Sequence, residues 1–244
     1  MPNDSSYPET PVSLISAVRR GTEDEAALAL AMLCERYLNP TYGLVRKLIF
    51  DQDRARDVTH DFFEWILVNR GGLIKKWNSE LGQFRAYFRT CLKNRIANNE
   101  RDQRAGKRGG GIFHFSFDRA EEIFADFGTH APTPDLAFDL IWADGVLQVA
   151  LRNLEQEMIT GGRGETFERF KISLLGVTPD YRSLAGETGI DGRALRTGVC
   201  RLRKRFREAV RDELRKTMPK AASEAEVDAE METLKKLMGR SSSK

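Results

Sequence analysis

Apolar residues recur at intervals of three and four along almost the whole chain, and the strict alternation that marks a half-buried strand is nearly missing. That spacing restricts the fold to packed helices. Val12 to Val18 reads as a short amphipathic helix. Between Glu23 and Phe50 the apolar positions are Leu28, Met32, Leu33 and Tyr37, then Leu44, Val45, Leu48 and Ile49, with a kink expected at Pro40. A third helix follows Asp51, carrying Ala55, Val58, Phe62, Trp65 and Ile66, and its acidic start at Asp51 and Asp53 suits a helix N-terminus. A fourth has Phe84, Phe88, Cys91, Leu92 and Ile96 on one face, with Arg85, Arg89 and Lys93 as a basic stripe beside it.

Breaks in this pattern divide the chain. Residues 1–10 are expected to be disordered, 11–108 to form a first small helical domain and 109–137 a flexible acidic linker containing Asp118, Glu121, Glu122, Asp126, Pro132 and Pro134. The aromatics there, Phe113, Phe115, Phe117, Phe124 and Phe127, could pack or bind something. Residues 138–218 form a second helical domain, and 219–244 a C-terminal extension with Ser223 and Glu226 as a capping box ahead of Val227, Met231, Leu234 and Met238. The fold class is all-α: two small helical domains on a linker, plus a C-terminal helix. With 244 residues, 41% hydrophobic and 31% charged, the chain can bury a core in each.

Charge is distributed unevenly. Arg70 to Arg108 contains eleven Lys or Arg against three acids, and Arg193 to Lys216 ten against three, leaving eighteen basic and thirty acidic residues elsewhere. A net charge of +3 thus conceals two windows totalling about +15 and a remainder of about −12. Two basic surfaces on an otherwise acidic chain suit a polyanion gripped at two places.

The second window follows a helix-turn-helix signal. Tyr181 to Glu187 is a short helix, Ala185 is small where two helices would cross, and Gly189 supplies a positive φ for the turn. Asp191 then caps a long helix with Leu195, Val199, Leu202 and Phe206 inward, leaving Arg193, Arg196, Thr197, Arg201 and Lys204 outward for a major groove. Gly198 would either admit the DNA backbone or weaken this helix. In the first window aromatics alternate with bases: Trp77, Phe84, Tyr87 and Phe88 among Lys75, Lys76, Arg85, Arg89, Lys93 and Arg95. Such faces suit unstacked single-stranded bases, although Phe84 and Phe88 also belong to an apolar face and are better read as core. Asn94, Asn98 and Asn99 add groups able to read base edges.

The runs Leu33-Cys34-Glu35-Arg36-Tyr37, Ala55 to Phe63 (Ala-Arg-Asp-Val-Thr-His-Asp-Phe-Phe), Gly82 to Phe88 (Gly-Gln-Phe-Arg-Ala-Tyr-Phe), Lys93-Asn94-Arg95 and Arg201 to Arg205 together resemble an extracytoplasmic-function (ECF) sigma factor. The resemblance covers about residues 11–108 and 138–216. It implies a promoter-recognition subunit whose partners are bacterial core RNA polymerase and promoter DNA, duplex and melted. It places Asp57, His60 and Asp61 on a polymerase-docking helix, and Lys75, Lys76 and Trp77 in a loop that holds a flipped −10 base. It sets Arg85, Arg89, Lys93, Asn94, Arg95 and Asn98 on a −10 helix, and Arg193, Arg196, Thr197, Arg201 and Lys204 on a −35 recognition helix.

Two positions depart from the family pattern: Arg56 stands where an acid is common, and His60 where Gln is common. Loss of the acid beside Asp57 weakens the expected docking and leaves room for a regulator, either an anti-sigma factor or a Ser/Thr kinase acting on Thr59. The C-terminal helix either folds back to regulate DNA binding or is a loosely packed tail. The nearest rival is a stand-alone helix-turn-helix regulator that does not engage polymerase. No enzyme, cofactor or metal is expected: Cys34, Cys91 and Cys200 are far apart, the three histidines are scattered, and no phosphate loop or nucleophile motif occurs. A cytoplasmic location without membrane insertion is expected, since the apolar run Ala26 to Cys34 is too short to span and no signal-like start is present.

Overall fold

The computed structural model describes residues 11–78, 82–102, 115–175, 177–218 and 222–241. The expected disordered N-terminus and Phe113 lie outside these residues. Among the described residues every regular element is helical, as the apolar spacing requires, and no helix is long and apolar enough to cross a membrane.

The helices are α1 (Pro11–Arg20), α2 (Glu23–Leu48), α3 (Gln52–Val68), α4 (Gly72–Lys76), α5 (Phe84–Asp102), α6 (Asp118–Ile123), α7 (Pro134–Thr160), α8 (Gly164–Phe170), α9 (Tyr181–Thr188), α10 (Gly192–Thr217) and α11 (Glu224–Ser241). They form two compact units: residues 1–145 with 215–244, and residues 146–214. The sequence suggests divisions at 137 and 218 instead, and joins the C-terminal helix to neither domain. The first half of α7 and all of α11 in fact belong to the first unit.

Local chemistry explains the element ends. Thr22 and Glu25 form a capping box at the start of α2, Asp51 accepts from the Arg54 N–H at the start of α3, and Ser223 with Glu226 forms the box expected ahead of α11. α2 runs through Pro40, which is buried inside it. In the first unit the core is aromatic. The Tyr37 ring meets Phe84 edge-on at 5.4 Å and Phe88 at 4.7 Å, and Phe62 meets Phe88 edge-on at 5.5 Å. Phe138 and Ile141 bring α7 into this core, and Gly43 permits the approach: a Cβ there would lie 2.2 Å from Ile141 Cδ1.

The stretch expected to be a flexible linker is instead partly built into this unit. α6 and the π-helical turn Phe124–Gly128 that continues it bury Ala120, Ile123 and Phe124. Glu121 accepts a short hydrogen bond from the Tyr42 hydroxyl and lies 3.5 Å from Arg46 Nε, while Phe117 packs 5.4 Å from the Tyr42 ring. Of the two open options for these aromatics, packing is the one observed.

In the second unit Leu154, Met158, Phe167, Phe170, Leu195, Val199 and Leu202 form the core, with Leu184, Ala185 and Phe206 against it. The inward face expected for α10 is therefore the one seen. Gly189 closes α9 at φ +67°, and Asp191 Oδ2 accepts from the Arg193 and Ala194 N–H groups at 2.9 and 3.3 Å.

Candidate nucleic-acid interfaces

The two basic windows look alike in sequence and differ in structure. On α10, Arg193, Arg196, Thr197, Arg201 and Lys204 are all exposed. The α10 apolar face is anchored in its core and Asp191 fixes its first turn, so these side chains project from a defined surface. The Thr197 hydroxyl donates to the Arg193 carbonyl, Arg196 stacks 5.5 Å from the Tyr181 ring, and Lys204 lies 3.9 Å from Glu208 in an exposed pair of little energetic weight. Among the described residues Arg193 and Arg201 have no carboxylate partner. Gly198 has an inward role that the sequence did not show. A Cβ there would lie 2.8 Å from Phe170 Cε2, so this glycine serves the inward packing of α10 and not an approach of DNA.

On α5 the stripe is covered. Arg85 Nη2 lies 3.0 Å from Glu230 Oε1 of α11, and its guanidinium sits 4.0 Å from the Trp142 ring. Arg89 Nη1 donates to Asp139 Oδ2 at 2.5 Å, and Lys93 Nζ to Asp135 at 3.0 Å. The side chains of Arg85 and Glu230 are only 12% and 7% exposed. Positions 85, 89 and 93 rise along α5 as their partners fall from 139 to 135 along α7, so two antiparallel helices match charges turn for turn. The expected −10 stripe is thus neutralised by three acids from elsewhere in the chain. The spacing of four between Asp135 and Asp139 was a readable signal. So was Glu230, which sits within the apolar series Val227, Met231, Leu234 of its helix.

The other α5 candidates are more open. Asn94 and Asn98 are exposed, and Arg95 lies 5.0 Å from the Trp65 ring. Lys75 and Lys76 are exposed at the end of α4, whereas Trp77 is 4% exposed, donates from Nε1 to the Gly82 carbonyl at 3.1 Å and packs edge-on against Phe84. Trp77 is therefore core, not a platform for a flipped base. Phe84 and Phe88 are buried, as read from the sequence.

On α3, Asp57 is exposed, His60 lies 5.7 Å from the Phe115 ring and 4.0 Å from Glu64, and burial pushes the Asp61 carboxyl above its ordinary pKa. His60, Asp61 and Glu64 bring three ligand-type atoms within 4.8 Å, a cluster the sequence spacing did not suggest, but exposed carboxylates gather in this way without an ion. Thr59 requires correction as a kinase target. It is wholly buried and its hydroxyl donates to the Ala55 carbonyl at 2.8 Å, so a kinase would have to open the helix bundle to reach it. Arg56, the departure beside Asp57, lies 3.8 Å from Asp53 and 4.0 Å from Asp118. Its charge is directed at α6.

Comparison with protein-family models, curated proteins and solved structures returns no match.

Proposed function

We propose that the chain is a sigma factor of the ECF type, which joins bacterial core RNA polymerase and directs it to promoters. The observation that carries the reading is the open basic face of α10. Five exposed polar or basic side chains stand on the first half of a long, side-chain-capped helix that follows a short helix and a left-handed glycine. Such a helix presents Arg for bidentate donation to guanine and Lys for phosphate contact in a duplex major groove. The exposed Asn94 and Asn98, with Lys75 and Lys76, offer a separate set of contacts for melted DNA. Asp57, on the exposed side of α3, is the candidate contact to polymerase.

The test is reconstitution. Added to bacterial core polymerase, the full chain is expected to co-purify with it and to start transcription at a defined promoter. Arg201→Ala should weaken binding to the upstream duplex and reduce the slope of log affinity against log salt by about one. Failure to bind core polymerase refutes the reading.

One observation favours a second reading, a stand-alone helix-turn-helix regulator. The α10 face is open while the α5 stripe is ion-paired within the chain, which is how a duplex binder with no need of melted DNA would look. Specific duplex binding without co-purification of polymerase selects it.

A further inference from the structure

We propose that Glu230, with Asp135 and Asp139, is an intramolecular stand-in for DNA phosphate, and that α11 is a gate which keeps single-stranded DNA off the α5 stripe until the strand displaces it. This rests on the reading of α5 as a single-strand contact.

Three features support the gate. First, the chemistry at Arg85 is that of an occupied anion site. A guanidinium stacked on the Trp142 indole at 4.0 Å receives a carboxylate at 3.0 Å, and Gln83 donates a second hydrogen bond to the same carboxylate at 2.9 Å. Arg binds carboxylate and phosphate by the same planar fork of donors, so one can replace the other. Second, Glu230 is placed where packing alone would put an apolar side chain. It is 6% exposed on the face that also buries Val227, Met231, Leu234 and Leu237. A buried carboxylate is tolerated only with partners, and its partners here are Arg85 of the candidate DNA-binding helix and Gln83 just before it. Third, the acids divide between two kinds of support. Asp135 and Asp139 stand on α7, whose Phe138 and Ile141 are buried in the core, whereas Glu230 stands on a separate helix, α11. Release of α11 would remove the nearer of two carboxylates from Arg85, whose Nε also lies 3.9 Å from Asp139, and the incoming strand would then compete with Asp139 and Asp135 for Arg85, Arg89 and Lys93.

The test uses the full chain and a labelled single-stranded oligodeoxynucleotide followed by fluorescence anisotropy. Glu230→Gln keeps the shape and removes the charge; it should tighten binding roughly tenfold and steepen its salt dependence, as one more cation becomes available to phosphate. Glu232→Gln, an exposed acid on the same helix, should change little. Arg85→Gln in the Glu230→Gln background should abolish the gain. In the wild-type chain, amide hydrogen exchange of residues 224–241 should accelerate when the oligonucleotide binds, a measurement that needs no variant to fold. If Glu230→Gln binds as the wild type does while Arg85→Gln in the wild type weakens binding, the stripe is already open: the gate is refuted and the single-strand reading survives. If the oligonucleotide binds and exchange in α11 is unchanged, the gate is likewise refuted. If no variant binds single strands, both fall, and co-purification with polymerase then tests the sigma-factor reading independently.

Discussion

The packing of α7 on α2 sets where Asp135 and Asp139 lie, and a single pair of methyl groups tests it. Gly43 is buried in α2, and a Cβ built there lies 2.2 Å from Ile141 Cδ1, with Ile141 Cγ1 next at 3.6 Å and the Ala137 carbonyl at 3.9 Å. Gly43→Ala gains about 1 kcal/mol of helix propensity but must displace a methyl in a packed core, at about 1 to 3 kcal/mol. The net effect is a loss of up to about 2 kcal/mol. Ile141→Val alone removes Cδ1 and costs about 0.5 to 1.5 kcal/mol. Combined, the new methyl occupies the space the old one leaves, its nearest neighbours are at ordinary contact distance, and the propensity gain is kept. The double variant is therefore expected near or above wild-type stability, with a favourable coupling of about 1 to 3 kcal/mol. Urea unfolding followed by tryptophan fluorescence reads it cleanly, because Trp65, Trp77 and Trp142 all lie in the first unit. Additivity of the two substitutions within about 0.5 kcal/mol would refute the placement of α7 against α2.

Three further predictions follow from particular side chains. Thr59→Glu, which would imitate a phosphate on an accessible helix, should instead destabilise the first unit by about 3 to 5 kcal/mol, because the site is wholly buried; a stable, active variant would restore Thr59 as a modification site. Arg56→Glu should place three like charges together with Asp53 and Asp118 and loosen α6, read as faster hydrogen exchange in residues 118–128; unchanged exchange would mean the aromatic contacts alone hold the segment. Burial pushes the Tyr37 and Tyr42 hydroxyls from 10.0, and the Cys34 thiol from 9.0, up to about 12, with the Glu121 hydrogen bond adding to the effect at Tyr42. Groups whose pKa is raised on folding contribute stability in full below their unfolded values and lose it as pH rises through the folded ones. Stability of the first unit should thus hold to about pH 9 and fall between there and pH 12, with tyrosinate absorbance from Tyr37 and Tyr42 delayed until unfolding; their titration at pH 10 in the folded chain would contradict the burial.

The helices were legible because they carry their own signals. Leu195, Val199 and Leu202 are spaced for one buried face, and Asp191, Gly189 and the Ser223–Glu226 box act within a turn or two of the chain. What escaped the sequence depends on partners far away in it. Phe115, Phe117 and Phe124 sit in an acidic, proline-flanked stretch that composition reads as a linker, yet Tyr42, Arg46 and Arg56 give it a surface to dock on, and no local pattern announces that surface. Leu28 fits the helical spacing of α2 and is nevertheless 65% exposed, since periodicity marks a face and not its width. Trp77 and Gly198 misled for a related reason: an aromatic among lysines and a glycine on a basic helix suit a ligand, but each is used by the core through Phe84 or Phe170.

Charge density alone could not separate the two basic windows, and the separation changes what the charge means. On α10, Arg193 and Arg201 are exposed and, among the described residues, have no carboxylate partner, so their field reaches solvent and remains available to steer a polyanion. On α5 the spacing of four that makes a stripe also makes a complement for any acidic helix of the same period, and Asp135 and Asp139 supply one within the chain. Any polyanion reaching these cations would have to compete with the carboxylates already paired to them, so the charge the stripe offers cannot be read from the cations alone. At Arg85 the nearest acid is Glu230, buried within the apolar series of α11.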